Sequence, residues 1–310
     1  MIFNILLKSS FTAFQGEIAA LSAACLWAIA SVVYGRLGER IPPLQLNLIK
    51  GIVAIALLLV TIAIRGELLP NIAPVSLSLL LFSGIIGIGL GDTAFFATIN
   101  TIGARRALLM GTLAPPIAAI ASEIFLQERL NLSAWYGILL TIAGVAWVVT
   151  ERTPDLGDRM TTHLGRGIGL GVLTAITNAT GTVFSRAAFA DTNISPLWAA
   201  LLRLSAGVLI LLIWISFLGR QNRRLLYPEW KSSQVIFGIF FAAFCGTYLG
   251  IWLQQTALKF TAAGVASTLL QTSPVFIIPI AMWLGEKITW RAIAGVAMAI
   301  AGTGLLFYFK

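Results

Sequence analysis

Apolar residues run through this chain in stretches of about 20, separated by short polar segments. Ten stretches can be drawn, at roughly 17–36, 43–64, 76–98, 104–126, 132–150, 167–188, 195–218, 233–257, 263–284 and 289–308. Crossing the hydrocarbon layer of a bilayer as a helix takes about 20 mostly apolar residues. The pattern therefore predicts ten transmembrane helices and no soluble domain. It also occurs twice. Pro116, Glu128, Gly137 and Ala143-Gly144 are matched 158 positions on by Pro274, Glu286, Gly295 and Ala301-Gly302. Pro43 and Lys50 are matched at offset 153 by Pro196 and Arg203, and Tyr34-Gly35-Arg36 faces Phe184-Ser185-Arg186 at offset 150. Small steps in the offset place the insertions in loops. Five helices per half is an odd number, so the second half enters the membrane the other way up. The expected fold is an all-α membrane protein of two inverted five-helix repeats, residues 1–150 and 167–310, joined by a hydrophilic linker at 151–166. Such folds place a ligand at the midplane between the repeats.

Composition agrees with a bilayer. The chain is 58% hydrophobic and 11% charged, with mean hydropathy +0.91, where soluble domains are about 25% charged. A net charge of +9 raises nucleic acid as a partner, but the basic residues are scattered over short loops, so their role is topological. With Lys50 and Arg203 set aside, the odd-numbered loops hold 13 basic residues and the termini and even-numbered loops hold 6. The positive-inside rule then puts both termini outside the cytoplasm. Lys8 precedes an apolar run of full spanning length with no small-residue cleavage site, which reads as an uncleaved signal-anchor. Cys25 and Cys245 are intramembrane and far apart, so they report neither compartment nor disulfide.

Several residues within the helices break the apolar pattern. Pro115 and Pro116 fall midway along helix 4, and Pro274 midway along helix 9 with Pro279 beyond. Proline removes a donor and displaces the carbonyl four residues back, here near Thr112 and Leu270. Each break reads either as a packing kink or as a turn facing a wet cavity. Their equivalence in both halves, and Gln271-Thr272-Ser273 before Pro274, favour the second. Gly84, Gly87, Gly89 and Gly91 on helix 3, Gly246 and Gly250 on helix 8, and Gly167 and Gly171 on helix 6 read as close-packing positions.

Charges inside a membrane are costly and mark function by default. Lys50 and Arg203 each lie about 10 Å into a helix at 1.5 Å per residue; they either snorkel to the headgroups or serve the interior. Asp92, two-thirds along helix 3, is too short to snorkel. It reads as a structural ion pair or as a group that titrates or neutralises Lys50. Glu123 can reach the interface. Glu128 and Glu286, beside Arg129 and Lys287, read as helix-end caps or pairs. Helical spacing puts Tyr248, Trp252 and Gln255 on one face of helix 8, Thr174, Thr177, Asn178, Gly181 and Ser185 on one face of helix 6, and Trp27 with Ser31 on helix 1. An aromatic stripe reads as core or interface belt, or as a pocket wall; the polar companions favour the pocket. His163 is the single histidine and falls in the linker. No metal-ligand spacing, GxSxG elbow or phosphate loop is present, so neither a metal nor a cofactor is expected and catalysis finds little support.

Leu26-Trp27-Ala28, the Pro-to-Lys/Arg spacing of helices 2 and 7, and Leu284-Gly285-Glu286-Lys287 with Gly295 and Gly302 resemble the EamA-type transporters of the drug/metabolite transporter superfamily. Gly91-Asp92-Thr93-Ala94-Phe95-Phe96 before Gly103-Ala104 resembles members of the same group. The resemblance covers nearly the whole chain. It implies a ten-helix secondary carrier, not an enzyme, with a central cavity lined by helices 1, 3, 4, 6, 8 and 9. Amino acids, other small metabolites or drugs are the substrates it implies, and export the direction. It implies both termini in the cytoplasm, opposite to the charge count, and the orientation stays open between the two. Two positions depart from strict doubling: Lys50 stands where the second half has Arg203, and Gln127-Glu128 where it has Gly285-Glu286.

The expectation is an integral protein of the plasma (inner) membrane, monomer or homodimer, with a small-molecule substrate and no nucleic acid. It would export a small polar or amphipathic metabolite by alternating access. Lys50 or Arg203 would attract a carboxylate, Trp27, Phe96 and Trp252 would form apolar walls, and Asp92 would carry a proton. Asn178, Tyr248, Gln255 and Gln271 complete the candidate substrate-binding set. Uncoupled facilitation, exchange or import is the alternative carrier reading, and an intramembrane lipid-handling enzyme or a structural subunit the remote ones.

Overall fold

In this computed structural model the described residues are 14–38, 40–67, 70–102, 107, 110–150, 164–190, 192–219, 232–273, 275–276 and 289–308. Ten helices of eight residues or more, and no strand, occur among them. Along the chain these are α1 Gln15–Gly38, α2 Pro43–Arg65, α3 Pro74–Ile102, α4 Ala114–Leu126 and α5 Leu132–Thr150. The second half contributes α6 Leu164–Ala188, α7 Pro196–Gly219, α8 Ser233–Phe260, α9 Ala263–Leu270 and α10 Trp290–Tyr308. Six of them are long and apolar enough to cross a membrane alone. The chain is an all-α integral membrane protein.

The helix ends follow from local chemistry. Prolines 43, 74 and 196 open α2, α3 and α7; their fixed φ suits a first turn, where no amide donor is needed. α2 stops at Gly66 in the left-handed region, φ 62°, with its N–H returned to the last-turn carbonyls, a conformation glycine adopts without a Cβ clash.

The packing is two-fold symmetric. α1 packs on α8 and α3 on α6; α2 meets α7 and α8 while α7 meets α2 and α3; α4 meets α6 and α9 while α9 meets α1 and α4; α5 pairs with α10. Exchanging every helix with the one five places away leaves this pattern unchanged, the signature of two repeats folded about one axis. The α5–α10 pair shows why the sequence repeats where it does. A Cβ on Gly144 would lie 2.4 Å from Ala299 N and 2.6 Å from Gly295 O, and one on Gly302 would lie 2.4 Å from Thr141 N and 2.8 Å from Gly137 O. The doubled glycines meet each other across the axis, and only hydrogen fits there.

The prolines of α4 are placed differently from expectation. The chain turns at Thr112-Leu113, and Pro115 and Pro116 occupy the first turn of a new helix rather than the middle of a continuous one. α9 ends likewise at Leu270, with a turn at Gln271-Thr272. Pro274, Pro279, Glu286, Lys287 and His163 lie outside the described residues. The last three residues of the expected linker already belong to α6.

Gly144→Leu should push α5 off α10 and destabilise the protein by roughly 1–3 kcal/mol, the usual cost of overpacking. Gly304→Ala, where an added Cβ meets nothing within 4 Å, should be near neutral. Thermal unfolding of the two purified variants in detergent measures the difference.

Candidate functional site

Helices α3 and α8 are interrupted at equivalent places. Gly84–Asp92 and Ala243–Leu249 wind as π-helix, with i→i+5 hydrogen bonds. Such wide turns are rare, loosen the regular ladder and are frequent at functional sites. In hydrocarbon the loosened carbonyls need donors, and side chains supply them. Asn47 Nδ2 on α2 donates to Ile88 O at 2.8 Å and to Thr93 Oγ1 at 2.9 Å, while Thr93 Oγ1 donates to Gly89 O at 2.7 Å. Trp27 Nε1 on α1 donates to Gly246 O at 2.7 Å. The turn that follows α9 is completed in the same way. Ser273 Oγ donates at 3.1 Å to Leu270 O, the carbonyl that sequence spacing marks as displaced by Pro274.

These interruptions surround a cavity of about 180 Å³ at the middle of the bundle. α1 contributes Trp27, Ser31 and Tyr34; α3 contributes Gly87, Ile88, Gly91, Asp92, Phe95, Phe96 and Ile99; α6 contributes Thr174 and Asn178. α8 contributes Gly246, Thr247, Ile251 and Gln254, and the turns beside α4 and α9 contribute Gly111, Gln271 and Ser273. Lys50 of α2 and Arg203 of α7 complete the wall. An engineered apolar cavity of about 150 Å³ holds benzene, so this space suits a small solute.

The charges are arranged asymmetrically. Lys50 is buried, and its Nζ meets Asp92 Oδ2 at 2.5 Å. The same ammonium lies 5.1 Å from the Phe96 ring centre and 5.9 Å from that of Tyr34, within range for cation–π attraction. The Asp92 side chain keeps 34% exposure, so it reaches the water of the cavity. Arg203 is 3% exposed, yet among the described residues it has no carboxylate within salt-bridge distance. Its Nη1 donates to Gln254 Oε1 at 3.1 Å, and its Nε has no partner there.

The sequence-derived candidates divide into two groups. Trp27, Lys50, Asp92, Phe96, Asn178, Arg203 and Gln271 line this cavity. Tyr248, Trp252 and Gln255 do not, because each spends its polar tip or ring face on another helix. Tyr248 Oη is 2.7 Å from Thr61 Oγ1, Trp252 lies beneath the Arg65 guanidinium at 5.5 Å, and Gln255 Oε1 accepts from Ser185 Oγ at 3.1 Å. The next face of α8, with Thr247, Ile251 and Gln254, borders the cavity instead. On α6, Thr177 and Gly181 face the glycines of α3 rather than the cavity. Pro115 is buried and Pro116 half-buried in the first turn of α4. Tyr34 was legible as the i+7 continuation of Trp27 and Ser31; nothing in the sequence ranked Gln254 above Gln255.

A polar cluster joins the end of α4 to α6 and to the start of α9. Glu128 Oε1 pairs with Arg186 Nε at 2.5 Å, and Glu128 Oε2 accepts the Ala263 N–H at 2.9 Å at the start of α9. Arg186 Nη1 donates to Leu258 O and Lys259 O, each at 2.9 Å. Glu128 thus caps and pairs as expected of a helix-end acid, but with Arg186 rather than Arg129. Gln127 before it has φ 54°, the left-handed conformation glycine favours, and Gly285 is its counterpart in the other repeat.

A family model described as the EamA-like transporter family matches residues 14–150 and again 165–308. An uncharacterized transporter of Bacillus subtilis (strain 168), YvbV, is 30% identical over 139 residues, 44% of this chain and 45% of that protein. The alignment thus spans less than half the length of the curated relative it matches. One solved crystal structure superposes with a TM-score of 0.74 over 94% of this chain and 95% of its own, at 16% identity, a likeness of fold alone.

Asn47→Ala should leave the Ile88 carbonyl buried without its donor, at about 1–3 kcal/mol. The expected outcome is a lower unfolding temperature in detergent, with no comparable loss for Glu123→Gln, an exposed position.

Proposed function

This chain belongs to the EamA-like transporter family, and from that premise we propose that it exports small metabolites across the plasma membrane by alternating access, coupled to protons through Asp92. The protein is a membrane transporter; substrate class, direction and coupling are the proposal. The observation that carries it is the cavity at the meeting of the two repeats, walled by both and holding the Lys50–Asp92 pair. Two inverted repeats can rock about a fixed central site, opening it to one side and then the other. A volume of about 180 Å³ favours metabolites of amino-acid size over long lipids. Export is the direction the family resemblance implies.

The coupling role rests on the position of the carboxylate. Asp92 reaches the cavity while its partner is buried between aromatic rings, so a proton from the cavity water can reach the acid. Protonation would leave Lys50 charged and unpaired in a low-dielectric site, which is costly. A conformation that re-pairs or hydrates Lys50 is then favoured, which links protonation to the conformational cycle. Among the described residues lining the cavity, the charged and titratable groups around the Lys50–Asp92 pair are Tyr34 from α1 and Arg203 from α7.

Protein reconstituted in liposomes, loaded with an amino-acid and metabolite panel under an imposed pH gradient, tests the reading. Gradient-dependent loss of a compound is expected from wild type, falling to background in Asp92→Asn. Loss that ignores the gradient would identify an uncoupled facilitator, and undiminished coupled transport by Asp92→Asn would remove the proton role from this residue.

A further inference from the structure

The two basic residues of the cavity are symmetry counterparts in sequence, but the structure gives them different partners. Lys50 is neutralised by Asp92. Among the described residues Arg203 has no carboxylate within salt-bridge distance; its Nη1 donates to the neutral Gln254 oxygen and its Nε faces no acceptor. A buried guanidinium with no carboxylate in direct contact is expensive in a membrane and cannot shed its proton to escape that cost; Asp92, the carboxylate whose field reaches Arg203, is already paired with Lys50. Glycine at 87 keeps the space before it clear, since a Cβ there would come within 3.3 Å of Arg203 Nη2. With Lys50 and Asp92 cancelling, the charged groups among the described residues lining the cavity sum to a single positive charge.

We propose that the cargo is a small monoanion whose carboxylate binds Arg203 beside Gln254, its apolar body lying against Trp27 and Phe96. This rests on the transporter reading of the same cavity and assigns the substrate class that reading leaves open. A planar carboxylate suits the guanidinium fork, which offers parallel N–H donors. A monoanion brings the charge of the site to zero, whereas a cation would add to it.

Three probes of one ring and different charge test the assignment: benzoate, benzamide and benzylamine, titrated against the purified full-length protein in detergent and followed by thermal shift and Trp fluorescence. Benzoate is expected to bind more tightly than either analogue by about tenfold or more, the scale of a desolvated charge pair. Arg203→Gln should remove that preference. Arg203→Lys should keep an anion preference at reduced affinity. The exchange Arg203→Gln with Gln254→Arg moves the guanidinium to a neighbouring wall position and should restore benzoate binding, even if Arg203→Gln alone folds poorly. Equal binding of all three probes, a preference for benzylamine, no response to benzoate at millimolar concentration, or benzoate binding indifferent to Arg203 would each overturn the proposal. Binding is read without a gradient, so failure of coupled transport in liposomes leaves this result standing. Intact coupled transport without anion preference sinks the anion site alone.

Discussion

Inside a bilayer no water is available to a backbone carbonyl or a side-chain charge, and each one left without a partner costs several kcal/mol. That constraint organises this protein. A central site needs irregular backbone and polar side chains, and here specific side-chain donors serve the opened backbone. Asn47 serves the wide turn of α3, Trp27 that of α8, and Ser273 the turn that follows α9. Trp27 therefore has two duties, an apolar wall toward the cavity and a hydrogen bond that keeps α8 open-wound. The same accounting makes Lys50 and Asp92 a pair and singles out Arg203, whose partner among the described residues is an uncharged amide.

Symmetry and its breaking divide the labour. The glycines that repeat at offset 158 hold α5 against α10, and the wide turns of α3 and α8 recur in both halves, so the doubled features build the frame. Function is better sought where the doubling fails. Among the described residues Lys50 has a carboxylate in direct contact and Arg203 does not, which gives a two-fold frame an asymmetric charge. Gln127 takes a left-handed conformation where its counterpart is a glycine, placing Glu128 to bind Arg186 and cap α9 at once. This contact ties the first repeat to the second.

Much of the fold was legible in the sequence for simple reasons. Helix number follows from apolar length and hydrophobic run, repeat inversion from an odd helix count, and close approach from glycine, because each depends on local composition against a known bilayer thickness. The polar intramembrane residues were legible too, since lipid tolerates none of them without cause, and Trp27, Lys50, Asp92, Phe96, Asn178, Arg203 and Gln271 do come together around one cavity. Tyr248, Trp252 and Gln255 form an equally good polar-aromatic stripe, yet they bind α2 and α6. A stripe states that a helix face is buried against something other than lipid; it does not say whether that something is a cavity or another helix.

The sequence by itself determined what crosses the membrane, how the two halves are oriented relative to one another, and which residue types require an internal partner, because those follow from the transfer of each side chain into hydrocarbon. Tertiary structure alone decided which partner each one found. Lys50 and Asp92 lie 42 positions apart, Trp27 and Gly246 219, and Glu128 and Ala263 135, and no local pattern encodes pairings at those separations. The winding of α3 and α8 was likewise beyond the pattern: Asn47 on α2 and Trp27 on α1 supply donors to the wide turns, and neither pairing is written in the segments themselves.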